Sequence, residues 1–234
     1  MADNLFTRRR VAITGGTSGL GLALVSQLHA QGARVAFVAR GVSRVEHVAR
    51  EHPGSHGIIG DVASKDDIYP IALQILGALG GLDILINNAS HLGPTPLALL
   101  ADTDCEDLEA ALAANLLGPF RLTKALLGAL AASAREGRGP RVVNISSDAA
   151  ITAYPTWGAY GASKAALRHL TQIWDAELET EGIRFLSVDP GDMDTPLHAL
   201  AVPDADPETL KRPEVAAREV IEIVAASLNG MAVQ

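Results

Sequence analysis

Residues 11–21 read Val11-Ala12-Ile13-Thr14-Gly15-Gly16-Thr17-Ser18-Gly19-Leu20-Gly21. The first four have the apolar, β-branched character of a buried strand, and an apolar helical pattern runs over 20–31 until Gly32 stops it. Glycines between the two let the backbone turn tightly and approach a phosphate. The amino end of the following helix favours the negative charge of that phosphate. Strand, glycine turn and helix in this order form the opening unit of a parallel α/β sheet and of a dinucleotide site. Alone, such a turn is also compatible with a purely structural role, so its meaning depends on the rest of the chain.

Outward from this unit the alternation continues. Strand-like runs fall at 35–40, 56–60, 84–87, 141–146 and 184–189, separated by helical patterns at 42–49, 64–77, 103–133 and 157–180, with a last helix over 213–228. Ser64-Lys65-Asp66-Asp67 has the form of a capping box, Thr103 stands where a cap would open the long Ala/Leu-rich helix, and Gly118-Pro119 predicts a bend within it. Gly182 ends the second long helix and Pro213 suits the first turn of the last one. The pattern predicts a Rossmann-like, doubly wound parallel sheet of six or seven strands with helices on both faces, three layers in all. One domain over 1–234 is expected, with 195–213 as its long substrate loop.

Composition narrows the function classes. The 234 residues are 48% hydrophobic and carry a net charge of −8, which supports a sizeable core and argues against a nucleic-acid surface. Arg8-Arg9-Arg10 reads as a solvated lead-in to the first strand. Cys105 is the only cysteine, so no intrachain disulfide is possible, and its acidic neighbours Asp104, Glu106 and Asp107 make it a poor nucleophile. The amino terminus lacks an apolar signal region, and the apolar run 71–85 is broken by glycines and Asp83, so neither a leader nor a membrane span is expected and a cytoplasmic location is. His91 has no neighbours at metal-ligand spacing, and no metal is expected.

Two further features carry chemistry. In Tyr160-Gly161-Ala162-Ser163-Lys164, helical spacing puts a phenol and an ammonium on one face, an arrangement that draws a phenol's pKa down from about 10. The second strand ends Val38-Ala39-Arg40-Gly41, with a cation where an NAD site usually carries a carboxylate. Arg40 is placed to meet a 2′-phosphate, with Arg44 as a second cation nearby, so NADP(H) is favoured over NAD(H).

Together these residues resemble the short-chain dehydrogenase/reductase family, in the branch with a Thr-Gly-x-x-x-Gly-x-Gly turn and a Tyr-x-x-x-Lys pair. The resemblance runs from about 11 to 195. It implies a cofactor site built from Gly15, Thr17, Ser18, Gly19, Leu20 and Gly21 of the turn, Asp61 and Val62 at the adenine, and Asn88 and Ala89 after the fourth strand. Pro190, Gly191 and Thr195 complete it, Thr195 at the nicotinamide carboxamide. It implies Ser147, thirteen residues before Tyr160, as the group that polarises the substrate oxygen. Tyr160 would exchange a proton with that oxygen, Lys164 would lower the phenol's pKa and hold the ribose, and Asn115 would hold a water linking Lys164 to solvent.

The chain departs from the family pattern in three places. Ser90 replaces the usual glycine after Asn87-Asn88-Ala89, putting two polar side chains, Ser90 and His91, near the pocket mouth. Asp192 follows Pro190-Gly191, where capping of the next turn is its expected role and a contact with a polar or cationic substrate group is the alternative. Only Met231-Ala232-Val233-Gln234 remain for a seventh strand, which is expected to be short or absent, so a homodimer through the two long helices is expected, with a tetramer possible. Leu92, Tyr154, Trp157, Met193 and Leu197 suggest a partly apolar pocket, with Thr152, Tyr154 and Trp157 in its wall or in the core.

The leading reading is an NADP(H)-dependent oxidoreductase, a carbonyl reductase or alcohol dehydrogenase acting on a small molecule. A NAD-dependent alcohol dehydrogenase and a non-catalytic NADP-binding regulatory protein stay open. A sugar-nucleotide epimerase or dehydratase would space the turn glycines differently and carry a larger carboxyl-terminal region. Substrate identity and physiological direction are open.

Overall fold

The computed structural model describes residues 5–230. Strands β1 (Arg10–Thr14), β2 (Arg34–Ala39), β3 (His56–Ile59), β4 (Ile84–Asn87), β5 (Arg141–Ile145) and β6 (Arg184–Val188) form one sheet in the order β3-β2-β1-β4-β5-β6. Every neighbouring pair is parallel, so all strands end along the same edge. The order reverses between β1 and β4, and crevices open at such a switch point. The four residues left for a seventh strand, 231–234, where a short strand or none is expected, lie outside the described residues.

Parallel strands are covered on both faces, which is why they read as apolar runs rather than as alternating ones. Period two still sorts their side chains. Val11, Ile13, Val35, Phe37, Val143 and Ile145 face one layer, made by α1 (Gly19–Ala30), α2 (Val42–Glu51) and, from the far end of the chain, α8 (Pro213–Leu228). Ala12, Ala36, Val38, Leu85 and Val142 face the other, where α3 (Ile68–Leu79) and α5 (Gly118–Arg135) contribute Ile71, Ile75, Leu122 and Leu126. The result is the three-layer, doubly wound sheet that the alternation predicts.

Several local expectations need correction. The long helix over 103–133 is three pieces: α4 (Cys105–Leu112), a π-helical turn (Ala113–Leu117) and α5. The irregularity thus lies one turn before Gly118-Pro119, and it carries Asn115. Thr103 does not cap it. Its hydroxyl donates to the Leu99 carbonyl, and Asp104 takes the cap position. Ser64 and Asp67 do meet, at 3.1 Å, but Asp67 spends its other oxygen on the Asp61 amide, so the pair closes a turn ahead of α3 rather than boxing its first amides. The 195–213 segment is not an open loop, because α7 (Pro196–Ala201) and a 3-10 turn (Pro207–Thr209) order it. The second long helix is α6 (Gly158–Leu178), and Gly182 follows in the left-handed conformation only glycine adopts cheaply.

Arg10 is not solvated. Asp83 at the head of β4 is fully buried, and a buried carboxylate must be paired. Arg10 supplies its backbone amide at 2.8 Å and its guanidinium at 2.6 Å, and Ser133 of α5 adds a hydroxyl at 2.8 Å. Burial pushes the Asp83 carboxyl up, but the hydrogen bonds from Arg10 and Ser133 outweigh it and hold the group below the ordinary carboxylate range. The cluster fastens β1, β4 and α5 at the edge opposite the strand ends. Among the described residues no helix is long and apolar enough to cross a membrane.

A carboxylate with a depressed pKa stabilises the fold above its unfolded value, and that stabilisation is lost as pH falls through the folded value. Asp83→Asn is expected to cost about 3–5 kcal/mol near neutral pH. In urea unfolding the gap from the parent protein should narrow below about pH 4. An equal midpoint for both proteins at neutral pH would remove Asp83 as the fastening group.

Candidate active site

A cavity of about 840 Å³ opens along the strand ends. Its two ends are chemically different.

At one end the β1–α1 turn wraps tightly. Gly15 has φ +70, and a Cβ on Gly21 would stand 2.1 Å from the Gly15 carbonyl oxygen, so a side chain there would push the turn apart. Ser18 precedes α1 without capping it by its side chain, which leaves the first amides of the helix facing the cavity. Thr14 takes amide protons from Asn88 and Ala89, both at 3.0 Å, and Asn88 returns a bond to the Thr14 carbonyl at 2.9 Å. These bonds tie β1 to the end of β4 across the switch point. Arg40 is 72% exposed, and its nearest carboxylate, Asp61, stands at a loose 3.8 Å, which holds it weakly. Thr17, Gly19, Leu20, Arg44, Val62, Pro190, Gly191 and Thr195 line the same space. Thr195 also accepts the His198 amide, capping α7 over the turn. An uncapped helix end, a glycine turn and a loosely held guanidinium suit the phosphates of a dinucleotide.

At the other end Tyr160 and Lys164 of α6 stand one turn apart, facing Ser147 just after β5. Lys164 is buried, and its ammonium donates to the Ile145 carbonyl at 2.8 Å, 5.5 Å from the centre of the Tyr160 ring. Burial lowers Lys164 to about 8. Tyr160 is 7% exposed, and burial pushes its phenol up to about 12, with Ser90 and Ser147 hydrogen bonding in the opposite sense and Asp189 and Asp148 adding to the rise. The sequence reading that Lys164 draws the phenol down is therefore corrected for this state. Desolvation outweighs an ammonium that is aimed at a carbonyl rather than at the phenol oxygen.

The surrounding polar groups are committed. Ser147 accepts the Ala149 amide and donates to Asp148 at 3.0 Å, and Tyr154 donates to the same carboxylate at 2.7 Å. Tyr154 is 43% exposed and Thr152 is also exposed, so neither forms pocket wall or core, whereas Trp157 lines the cavity and meets the Tyr160 ring edge-on at 5.6 Å. Asn115 is wholly buried behind the cavity. Its side chain makes four protein hydrogen bonds, to Ser90, Ser163 and both the amide and carbonyl of His91. No side-chain capacity is left for the water that the resemblance assigns to it. Asp192 does not cap. Its carboxylate lies 4.0 Å from His198, while Asp189 takes the Gly191 amide and closes the turn.

The catalytic and cofactor-binding candidates from sequence all line this cavity except Asn115, which supports it from behind. Sequence reasoning missed the bridging role of Thr14, the reach of Ser90 toward the candidate site, and the carboxylates Asp148 and Asp189 near the phenol. Ser90 was marked by its departure from glycine. The Ile145 carbonyl carries no sequence signal at all. Among the described residues no cluster of His, Cys, Asp or Glu could hold a metal ion.

Comparison with known proteins agrees with this geometry. The family model for short chain dehydrogenase matches residues 9–206. An uncharacterized oxidoreductase of Mycobacterium bovis is 36% identical over 194 residues, which cover 80% of this chain and 55% of that protein, so the chain spans about half the length of this relative. A 2-(R)-hydroxypropyl-CoM dehydrogenase of Xanthobacter autotrophicus is 33% identical over 80% of this chain and 76% of its own length. Among solved structures, a short chain dehydrogenase of Shigella flexneri complexed with NADP superposes with a TM-score of 0.83 at 25% identity, covering 97% of this chain and 92% of that one. The matched segment and the sheet order agree: the chain belongs to the short-chain dehydrogenase/reductase family.

Proposed function

We propose that this protein is an NADP(H)-dependent oxidoreductase that interconverts a small carbonyl compound and its alcohol. One observation carries the reading. A phenol, a hydroxyl and an ammonium (Tyr160, Ser147 and Lys164) line the wall of a cavity whose other end is a phosphate-accepting turn with a free Arg40.

Bound NADP(H) would supply or take up the hydride, held by the glycine turn, Arg40, Asn88 and Thr195. The remaining work belongs to the chain. Tyr160 gives a proton to the developing alkoxide in reduction and takes it back in oxidation. With its pKa near 12 the phenol is protonated at neutral pH, the form that reduction requires. Ser147 hydrogen-bonds the substrate oxygen and fixes its position. To do so its proton leaves Asp148, an exchange made cheap by the exposure of that bond. Lys164, near 8, is largely charged at neutral pH and keeps a cation close to the reacting oxygens. With the Asn115 side chain fully used, any water relay falls to the backbone of its π-helical turn, where the regular ladder is broken. Leu92, Trp157, Met193 and Leu197 make the substrate end partly apolar. A homodimer through the faces of α5 and α6 belongs to the same reading, supported by the exposed Leu117 and Ile173 beside and on those helices.

Two substitutions test it. Tyr160→Phe is expected to lower kcat on a carbonyl panel on the order of a hundredfold or more, with cofactor affinity retained. Activity within about twofold of the parent's would falsify the role of Tyr160. Arg40→Asp is expected to cut the preference for NADPH over NADH by about tenfold or more, because a charge-assisted phosphate contact is replaced by repulsion. Equal turnover with both cofactors, insensitive to this change, supports the NAD-linked alternative instead.

A further inference from the structure

The catalytic tyrosine is enclosed in a ring of hydrogen bonds whose directions chemistry dictates. The Ser163 hydroxyl donates to the Tyr160 carbonyl at 2.6 Å, since a carbonyl only accepts. Ser163 therefore receives the Asn115 amide at 2.8 Å through its lone pair. The same amide group donates to the His91 carbonyl at 2.7 Å, so the amide orientation of Asn115 is settled, and its oxygen faces the His91 N–H at 2.8 Å and Ser90 Oγ at 3.1 Å. An amide oxygen cannot donate. Ser90 must give its proton to Asn115, which leaves only lone pairs for the phenol that it also reaches. Ser147 is in the same position, its proton lying on Asp148. In the resting site neither serine has a proton to offer the phenol, whose single O–H can be given to only one of them at a time.

After Tyr160 releases its proton this order no longer works. A phenolate oxygen facing two serine lone pairs is repelled, and it needs donors. Ser147 is then engaged with the substrate oxygen. Ser90 is the group that can respond, by rotating about its Cα–Cβ bond. Its hydroxyl leaves the Asn115 oxygen, which keeps the His91 amide, and turns to the phenolate. No covalent bond of Ser90 changes. The Tyr160 O–H bond breaks, its proton passes to the substrate alkoxide, and the Ser90 hydroxyl exchanges its bond to Asn115 for one to the phenolate.

We propose that Ser90, which stands where the family usually has glycine, is a positioning residue for Tyr160: a two-position hydroxyl that donates to Asn115 while the phenol is protonated and to the phenolate once it is not. This rests on Tyr160 as the proton donor. The charged and titratable groups around the phenol are Lys164 on its own helix, Asp148 after β5, Asp189 after β6 and His91 after β4, whose ring accepts the Gly93 amide. None of the side chains of these four residues is bonded to the Ser90 hydroxyl, so removing that hydroxyl leaves their own hydrogen bonds in place.

The test is the pH profile of kcat/KM for alcohol oxidation, which needs the phenolate. Ser90→Ala and Ser90→Gly are expected to move the ionisation of the essential base up by about one pH unit, with up to tenfold lower activity below it. Ser90→Thr, which keeps the hydroxyl, is expected to restore the parent profile. NADP affinity measured alongside is expected to stay within about twofold. Profiles for Ala and Gly that coincide with the parent's overturn the proposal, as does a Thr profile displaced as far as that of Ala. If Tyr160→Phe retains activity, the underlying reading fails. If Tyr160→Phe is inactive while the Ser90 profiles do not move, only the role of Ser90 fails.

Discussion

The buried bond from the Lys164 ammonium to the Ile145 carbonyl is the contact from which the candidate site is built. It joins the second turn of α6 to the last residue of β5 and so docks the helix at the strand ends. Tyr160, one turn earlier on the same face, is then carried to the cavity wall without any further device. The bond is costly, because the ammonium is stripped of water and its pKa falls to about 8. The charge survives at neutral pH, 5.5 Å from the centre of the phenol ring and bonded to the Ile145 carbonyl. A pair that helical spacing presents as acid and activator is, in this state, a high-pKa phenol beside a low-pKa amine.

The two edges of the sheet divide stability from chemistry. At the amino-terminal edge Asp83 is saturated with donors, and β1, β4 and α5 meet there in a fully paired cluster. At the carboxyl-terminal edge the strands diverge about the switch point, and polar groups hold alternative partners. Ser147 rests on an exposed carboxylate, Ser90 on a buried amide, and Arg40 on a loosely placed aspartate. Rigid elements hold these groups within reach of one another, and their hydrogen bonds can be exchanged without moving the scaffold.

What could be read from the residues alone is whatever depends on short-range periodicity. Apolar runs separated by helical patterns specify the alternation. The glycine turn after Thr14 and the four-residue spacing of Tyr160 and Lys164 have the same geometric consequence in any context. The reading weakens where a side chain's role is set by partners distant in sequence. Thr103 looks like a cap until the Leu99 carbonyl captures it, and Tyr154 looks like pocket wall until Asp148 draws it outward. Asn115 and Ser90 are far apart in the chain, and they meet where Asn115 lies in the π-helical turn. The direction of the Tyr160 shift depends on burial and on where Lys164 points, neither of which spacing encodes.

On the proposed function, the Tyr160/Lys164 pair is poised rather than active by itself, and bound NADP⁺ would supply a further positive charge that brings the phenol down into range. NMR of Cζ-labelled tyrosine, with Tyr160→Phe to assign the signal, measures that ionisation directly. The account predicts a Tyr160 pKa near 12 in the free protein and a fall of about two units or more on saturation with NADP⁺. A phenol that already titrates well below 10 in the free protein, or one that NADP⁺ leaves unmoved, would contradict it.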